Sequence, residues 1–204
     1  MFAGAANAGI IYDNGGVSIG DSGNETTMWV QADDFNIASG GTVTGAGVYI
    51  GALNGAPLSV WDGVLEYFIF SDGGTTPGSL ITSGNGVNVS TTDTGISWCC
   101  SGNAWLFDFD FESSFTALAS TDYWLGIHLS NNYDRDELYW IAQAGTSGNQ
   151  SQSLGGTFDN WTNGSVERAF YLTDGATSVP EPASIVLLGL GLAGLGFSRR
   201  KKTV

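Results

Sequence analysis

Positive charge is what this sequence lacks most: six Lys and Arg stand against 20 Asp and Glu, a formal net charge of −14. Four of the six, Arg199, Arg200, Lys201 and Lys202, sit together near the end, which leaves Arg135 and Arg168 as the cations of the body. So acidic a surface repels phosphate backbones and anionic headgroups while attracting divalent cations, and it argues against nucleic acid as a partner. Histidine is nearly absent. His128 stands alone, so a multi-histidine zinc site cannot be built, and no G-x-S-x-G elbow accompanies it for a Ser-His-Asp triad. The only cysteines, Cys99 and Cys100, are adjacent, which rules out a CxxC pair and a disulfide framework. Neighbouring Cα atoms lie about 3.8 Å apart, short of the usual disulfide range, so two small half-buried residues are the favoured reading over a vicinal or intermolecular bond. Phosphate loops and dinucleotide fingerprints are missing too. The body also lacks any segment of helical length and amphipathic period, and without crossover helices a parallel α/β fold is excluded.

What is present between Gly9 and Gly175 is a series of short apolar runs broken by Gly, Asn, Asp and Ser. The clearest is "WLFDFDFE", where Trp105, Phe107, Phe109 and Phe111 alternate with Leu106, Asp108, Asp110 and Glu112. A period of two places one set on a core face and the other on a mostly wet face, and a slip of one residue would bury the carboxylates. Similar runs occur at "TTMWVQADDF", "GTVTGAGVYIGAL", "GVLEYFIFSD", "DYWLGIHLS", "ELYWIAQAG" and "ERAFYLT", with turns such as Ser71–Gly74 and Gly145–Gly148 between runs. Many short strands joined by polar turns predict an all-β fold, an antiparallel β-sandwich of jelly-roll type, with a closed barrel as the second choice. From Thr173 to Val179 the chain turns small and polar, a linker that runs into Pro180 and Pro182.

Few residues invite chemistry. His128 should share a strand face with Trp124, opposite Leu125, Ile127 and Leu129, as a packed or surface histidine. Asp108 and Asp110 project from one face about 6–7 Å apart. Glycosidase carboxylates flank their bond from opposite sides, so a solvated face explains this pair. Asp134, Asp136 and Glu137 cluster in "NNYDRDE", and Asp33-Asp34 form a second acidic pair. Calcium is the guest such oxygen-rich loops would take, although no EF-hand pattern is present and no other cofactor is expected. Trp61, Trp98 and Trp161 lie near polar loops, where exposed rings could stack on sugar faces.

The last stretch is of another kind. Ala183–Phe197 is an apolar run of 15 residues, which as a helix spans about 22 Å of a hydrocarbon core of roughly 30 Å. That is short for a permanent anchor. The basic cluster after it would snorkel to the headgroups on the cytoplasmic side and leave the body outside. Val179-Pro180-Glu181-Pro182, the apolar run and Arg199-Arg200-Lys201-Lys202 together resemble the PEP-CTERM sorting signal of Gram-negative bacteria. The resemblance implies an exosortase as processing partner, transient insertion of the tail in the inner membrane, and carriers linked to exopolysaccharide and biofilm. The body is similar, more loosely, to β-sandwich regions found ahead of such tails.

Near the start, Ala6-Asn7-Ala8 matches an A-x-A signal-peptidase site without a basic or fully apolar region before it. Residues 1–8 are therefore expected to be a signal-peptide remnant and Gly9 the mature start. The expected organisation is residues 9–175 as sandwich, 176–182 as linker and PEP motif, and 183–204 as a hydrophobic helix with a basic tail. The expected function is that of a non-enzymatic exported protein that ends at the cell surface or in the extracellular matrix. Its rival is a carbohydrate-binding module, calcium-dependent or not.

Overall fold

The computed structural model describes residues 9–17, 23–53, 55–99, 102–144 and 148–175. Twelve strands form there: β1 Gly9–Asp13, β2 Gly23–Glu25, β3 Trp29–Asn36, β4 Gly41–Ala52, β5 Glu66–Asp72, β6 Pro77–Trp98, β7 Gly102–Ala117, β8 Asp122–His128, β9 Leu138–Ile141, β10 Gln150–Leu154, β11 Thr162–Gly164 and β12 Phe170–Asp174. A 3-10 turn at Pro57–Ser59 is the one helical element among the described residues, and none there is long and apolar enough to cross a membrane. The expected C-terminal helix, 183–204, lies outside the described residues, as do residues 1–8 and the turn residues 145–147.

Every strand pairing is antiparallel, in the order β1-β12-β4-β7-β6-β5-β8-β3-β10-β11, with β9 joined to β4 and β2. The all-β antiparallel expectation therefore holds, and the connectivity is this order. The path folds over on itself at β6. Its first part, Pro77–Asn85, pairs with β5, and from Gly86 onward it pairs with β7. Where the partner changes, the backbone passes between two core side chains: a Cβ on Gly86 would stand 2.8 Å from both Leu65 and Phe109. Only glycine fits so close an approach.

Folding at β6 brings two inner faces together. Phe35, Tyr67, Ile69, Leu125 and Ile127 of β3, β5 and β8 pack in one core with Val48, Ile50, Phe107 and Phe109 of β4 and β7. The period-two reading of β7 holds from Phe107 onward, with Phe107, Phe109 and Phe111 buried, Asp110 and Glu112 exposed and Asp108 between, while Trp105 and Leu106 are both half-buried. Burying each of these rings stabilises the fold by about 1.5–3 kcal/mol, which fixes the register. The outer face of β3, β5 and β8 is covered as well: Val30, Ala32, Phe68, Phe70 and Trp124 pack under Phe158 and Trp161. Burial on both faces is why "YFIF" reads as continuous rather than alternating. A third cluster, Val17, Trp98, Ala104, Ile141 and Ala169, lies outside β4, β7 and β9.

The last strand runs into the small polar stretch that leads to the tail. Thr173 and Asp174, small and polar enough to read as linker, belong to β12, because Thr173 pairs with Ile10 on one side and Gly45 on the other. Two backbone partners outweigh a polar composition.

Candidate functional site

Four segments that are remote in sequence meet at an open cleft of about 460 Å³, walled by Tyr12, Asp13, Asn14, Gly15, Asp34, Gln143 and Glu167. β1 delivers Tyr12 and Asp13, and β3 delivers Asp33 and Asp34. The segment entering β12 delivers Glu167 and Arg168, held in place because the Gln143 amide donates to the Glu167 carbonyl at 2.8 Å. Asn14 ties the segments together: its Nδ2 donates to Glu167 Oε2 and to the Arg168 carbonyl, both at 2.9 Å, and lies 3.4 Å from Asp33 Oδ1. The Tyr12 hydroxyl donates to Asn14 Oδ1 at 2.9 Å and so orients the amide. The Arg168 amide donates to Asp33 Oδ2 at 2.6 Å.

Asp33, Asp34 and Glu167 each present a carboxylate oxygen within 4.8 Å of the others. Asp33 is fully buried. Burial first, and then the charge of Glu167, push its carboxyl well above the ordinary value. The same two causes raise Asp34 from 3.8 to about 6, and its Oδ1 is buried without a partner. Burial also lowers the Arg168 guanidinium to about 10, against the opposing pull of Asp33 and Glu167. Burial, followed by the charges of Asp33 and Glu167, raises the Tyr12 phenol. Three carboxyl groups this close cannot all ionise without compensation, and two things relieve them: a retained proton, or a hard divalent cation that takes oxygen ligands.

The sequence singled out Asp33 and Asp34 and missed Tyr12, Asn14, Glu167 and Arg168. Nothing in local spacing marks those four; only the β1–β12 and β3 positions bring them together. The other acidic cluster does not converge. Asp136 is tied to its own loop and to the approach to β3: its Oδ2 accepts from Ser130 Oγ at 3.4 Å and its backbone amide donates to Thr27 Oγ1 at 2.8 Å, while the Asp134 backbone amide donates to Asn132 Oδ1 at 2.9 Å. Among the described residues, Asp33, Asp34 and Glu167 are the group of three carboxylates within reach of one ion; Asp134, Asp136 and Glu137 are not.

His128 is fully buried on the Trp124 side of β8, as alternation predicts. Its Nδ1 lies 2.9 Å from Glu66 Oε2, its Nε2 2.7 Å from the Thr27 carbonyl oxygen, and its ring stacks on Tyr133 with centroids 4.2 Å apart. Both nitrogens are committed to structural contacts. Asp108 and Asp110 are likewise engaged, the first by the Tyr171 hydroxyl and the second by Asn88 Nδ2 at 2.8 Å.

Of the three tryptophans considered as sugar platforms, Trp98 is buried and Trp61 and Trp161 are half-buried against core rings. Trp98 is 5% exposed, Trp61 stands edge-on to Phe107 and donates to the Val64 carbonyl at 2.7 Å, and Trp161 lies against Phe70 and parallel to Phe158. Cys99 is disulfide-bonded and exposed, which corrects the reading of an unbonded half-buried residue; Cys100 lies outside the described residues.

The sorting residues Val179, Pro180, Glu181 and Pro182, and the basic cluster Arg199, Arg200, Lys201 and Lys202, also lie outside the described residues. All of them but Lys202 fall within the stretch that matches a family model: the PEP-CTERM protein-sorting motif, over residues 178–201. No curated protein and no solved structure matches the chain. The motif supports exosortase-dependent sorting of an exported protein, with transient anchoring through the C-terminus.

Proposed function

We propose that the chain is a non-enzymatic protein exported across the inner membrane, cut at its sorting signal by an exosortase, and left at the cell surface or in an extracellular polysaccharide matrix. The observation that carries this reading is the sorting-motif match at residues 178–201. The order of parts fits the role: the PEP residues mark the cleavage segment, the short apolar run would insert transiently, and the four cations would stay at the cytoplasmic face. The acidic body suits a hydrated polymer matrix, since it stays soluble and does not adhere to anionic lipid.

Intact-mass spectrometry of protein from a host with an active exosortase tests the reading. The processed species should lack everything beyond the PEP region and should be found outside the inner membrane. Full-length chain ending at Val204 in the membrane fraction would leave a simple C-terminal anchor in its place.

A second reading concerns the body, and the meeting of Asp33, Asp34 and Glu167 favours it: the cleft takes a calcium ion. These three carboxylates would supply the charged ligands, and the ion would knit β3 to the segment that enters β12.

A further inference from the structure

We infer that a second cleft, at the turn end of the β6–β7 hairpin, is a binding subsite for neutral, hydroxyl-rich sugar rings, with Trp105 as its stacking wall and the Asp93–Asn103 pair as its hydrogen-bonding edge. The cleft holds about 280 Å³ and is lined by Gly55, Ala56, Asp93, Gly102, Asn103 and Trp105. Small-molecule sites begin at roughly 300 Å³, so this is space for one or two rings of a glycan that runs past an open groove.

Its construction follows from register. Asp93 of β6 is the direct partner of Trp105 of β7, and Asn103 precedes Trp105 by two residues, on the same side of the strand. Trp105 is the outermost member of the alternation that buries Phe107, Phe109 and Phe111, so it reaches the rim of the core and remains only partly covered. Across the cleft stand Gly55 and Ala56, too small to close over the ring. A half-covered indole framed by small residues offers an apolar face, and the C–H face of a pyranose is what packs on such a surface.

The polar edge is set in advance. Asn103 Nδ2 donates to Asp93 Oδ1 at 2.9 Å and lies 3.1 Å from Oδ2, while the Gly95 amide donates to the same Oδ1 at 2.9 Å. Held on both sides, the carboxylate does not need ordering on binding, which lowers the entropic cost. Asn103 keeps its carbonyl oxygen and an amide hydrogen for a ligand, and Asp93 Oδ2 keeps accepting capacity. The acceptors on both residues and the donor on Asn103 match ring hydroxyls, each of which both donates and accepts. Charge narrows the class. Asp93 and the acidic body repel uronate, sulfate and phosphate, so the sugar is uncharged.

The inference deepens the matrix reading by naming what in the matrix is bound. It is tested apart from it, because binding by the purified full-length chain does not depend on where or whether the tail is cut. In affinity electrophoresis the chain is run through gels containing a neutral β-glucan, a galactomannan or a polyuronate, with free glucose and mannose as competitors. The expected result is saturable retardation by at least one neutral polymer and none by the polyuronate. Competition by the free monosaccharide at equal sugar concentration would assign the site to soluble sugars, and its failure to compete would assign it to polymer. Asn103→Ala, a change at a partly exposed side chain, should weaken retardation at least tenfold with an unchanged melting temperature. Trp105→Phe, which retains an apolar ring against the core, should weaken it severalfold. Lack of retardation by either neutral polymer, or retardation that Asn103→Ala and Asp93→Ala both leave intact, overturns the assignment.

Discussion

The Tyr171 hydroxyl donates to the Asp108 carboxylate across an intervening strand. Tyr171 lies in β12 and Asp108 in β7, and both are register partners of the same residue, Gly47 of β4. The phenol ring lies in the space that a Cβ on Gly47 would occupy. Burial, and next the bond to Asp108, raise the Tyr171 phenol and keep it protonated as the donor. A glycine in a central strand is thus what lets two side chains clasp three strands together.

Gly47→Ala should therefore behave as a substitution of two side chains at once. The added methyl forces the Tyr171 ring aside and breaks its bond to Asp108, a loss of about 1–3 kcal/mol. Tyr171→Phe alone should lose about 1 kcal/mol. Urea unfolding should show a lower midpoint at an unchanged slope, and the double variant should be less destabilised than the sum, because both changes remove one interaction.

Acid should stabilise the ion-free body. Asp34 ionises near 3.8 in the unfolded chain and at about 6 in the folded one, and Asp33 is raised as well. Between those values the folded state holds more protons than the unfolded state, so stability is fully present below about pH 4 for this group and falls as pH rises through 6. Thermal unfolding in chelator between pH 4 and 7 measures this. The melting temperature should decline toward neutrality, and Asp34→Asn, which cannot ionise, should flatten the slope.

Calcium should reverse that decline. An ion held by Asp33, Asp34 and Glu167 binds their ionised forms, so its stabilisation grows with pH. At a hundred times its dissociation constant it adds about 2.7 kcal/mol. Millimolar calcium at pH 7 should raise the melting temperature, and Glu167→Gln should abolish most of the rise. No rise in the unsubstituted chain would remove the cation reading of the cleft.

His128→Ala should be destabilising by roughly 2–4 kcal/mol, since it leaves the Thr27 carbonyl without its donor, removes the partner of Glu66 and opens a void beside Tyr133. Differential scanning calorimetry reads this directly. An unchanged melting temperature would show that the ring's three contacts contribute nothing.

Legibility followed burial. Strands with one covered face, such as β7, declared themselves by alternation, and β3, β4, β5, β8, β9 and β12 were visible as apolar runs. β6 was not: its 22 residues are mostly Ser, Thr, Gly and Asn, and few are buried, so its structure comes from backbone pairing with β5 and β7 rather than from side-chain pattern. The acidic cleft was half visible for a similar reason. Asp33 and Asp34 stand side by side in the sequence, whereas Glu167 reaches them only because β12 pairs between β1 and β4. The tail was the most readable part, since a sorting label is recognised as a linear string.

β6 has one more consequence, for heredity rather than for stability. Because one strand serves β5 with its first part and β7 with its second, no boundary within the body separates two pieces that would each keep their edges paired. A gene fusion or duplication that broke the body near Gly86 would yield two fragments with open strand edges, the kind that pair with other chains and aggregate. Residues 9–175 can therefore be shuffled among other proteins only as one indivisible cassette.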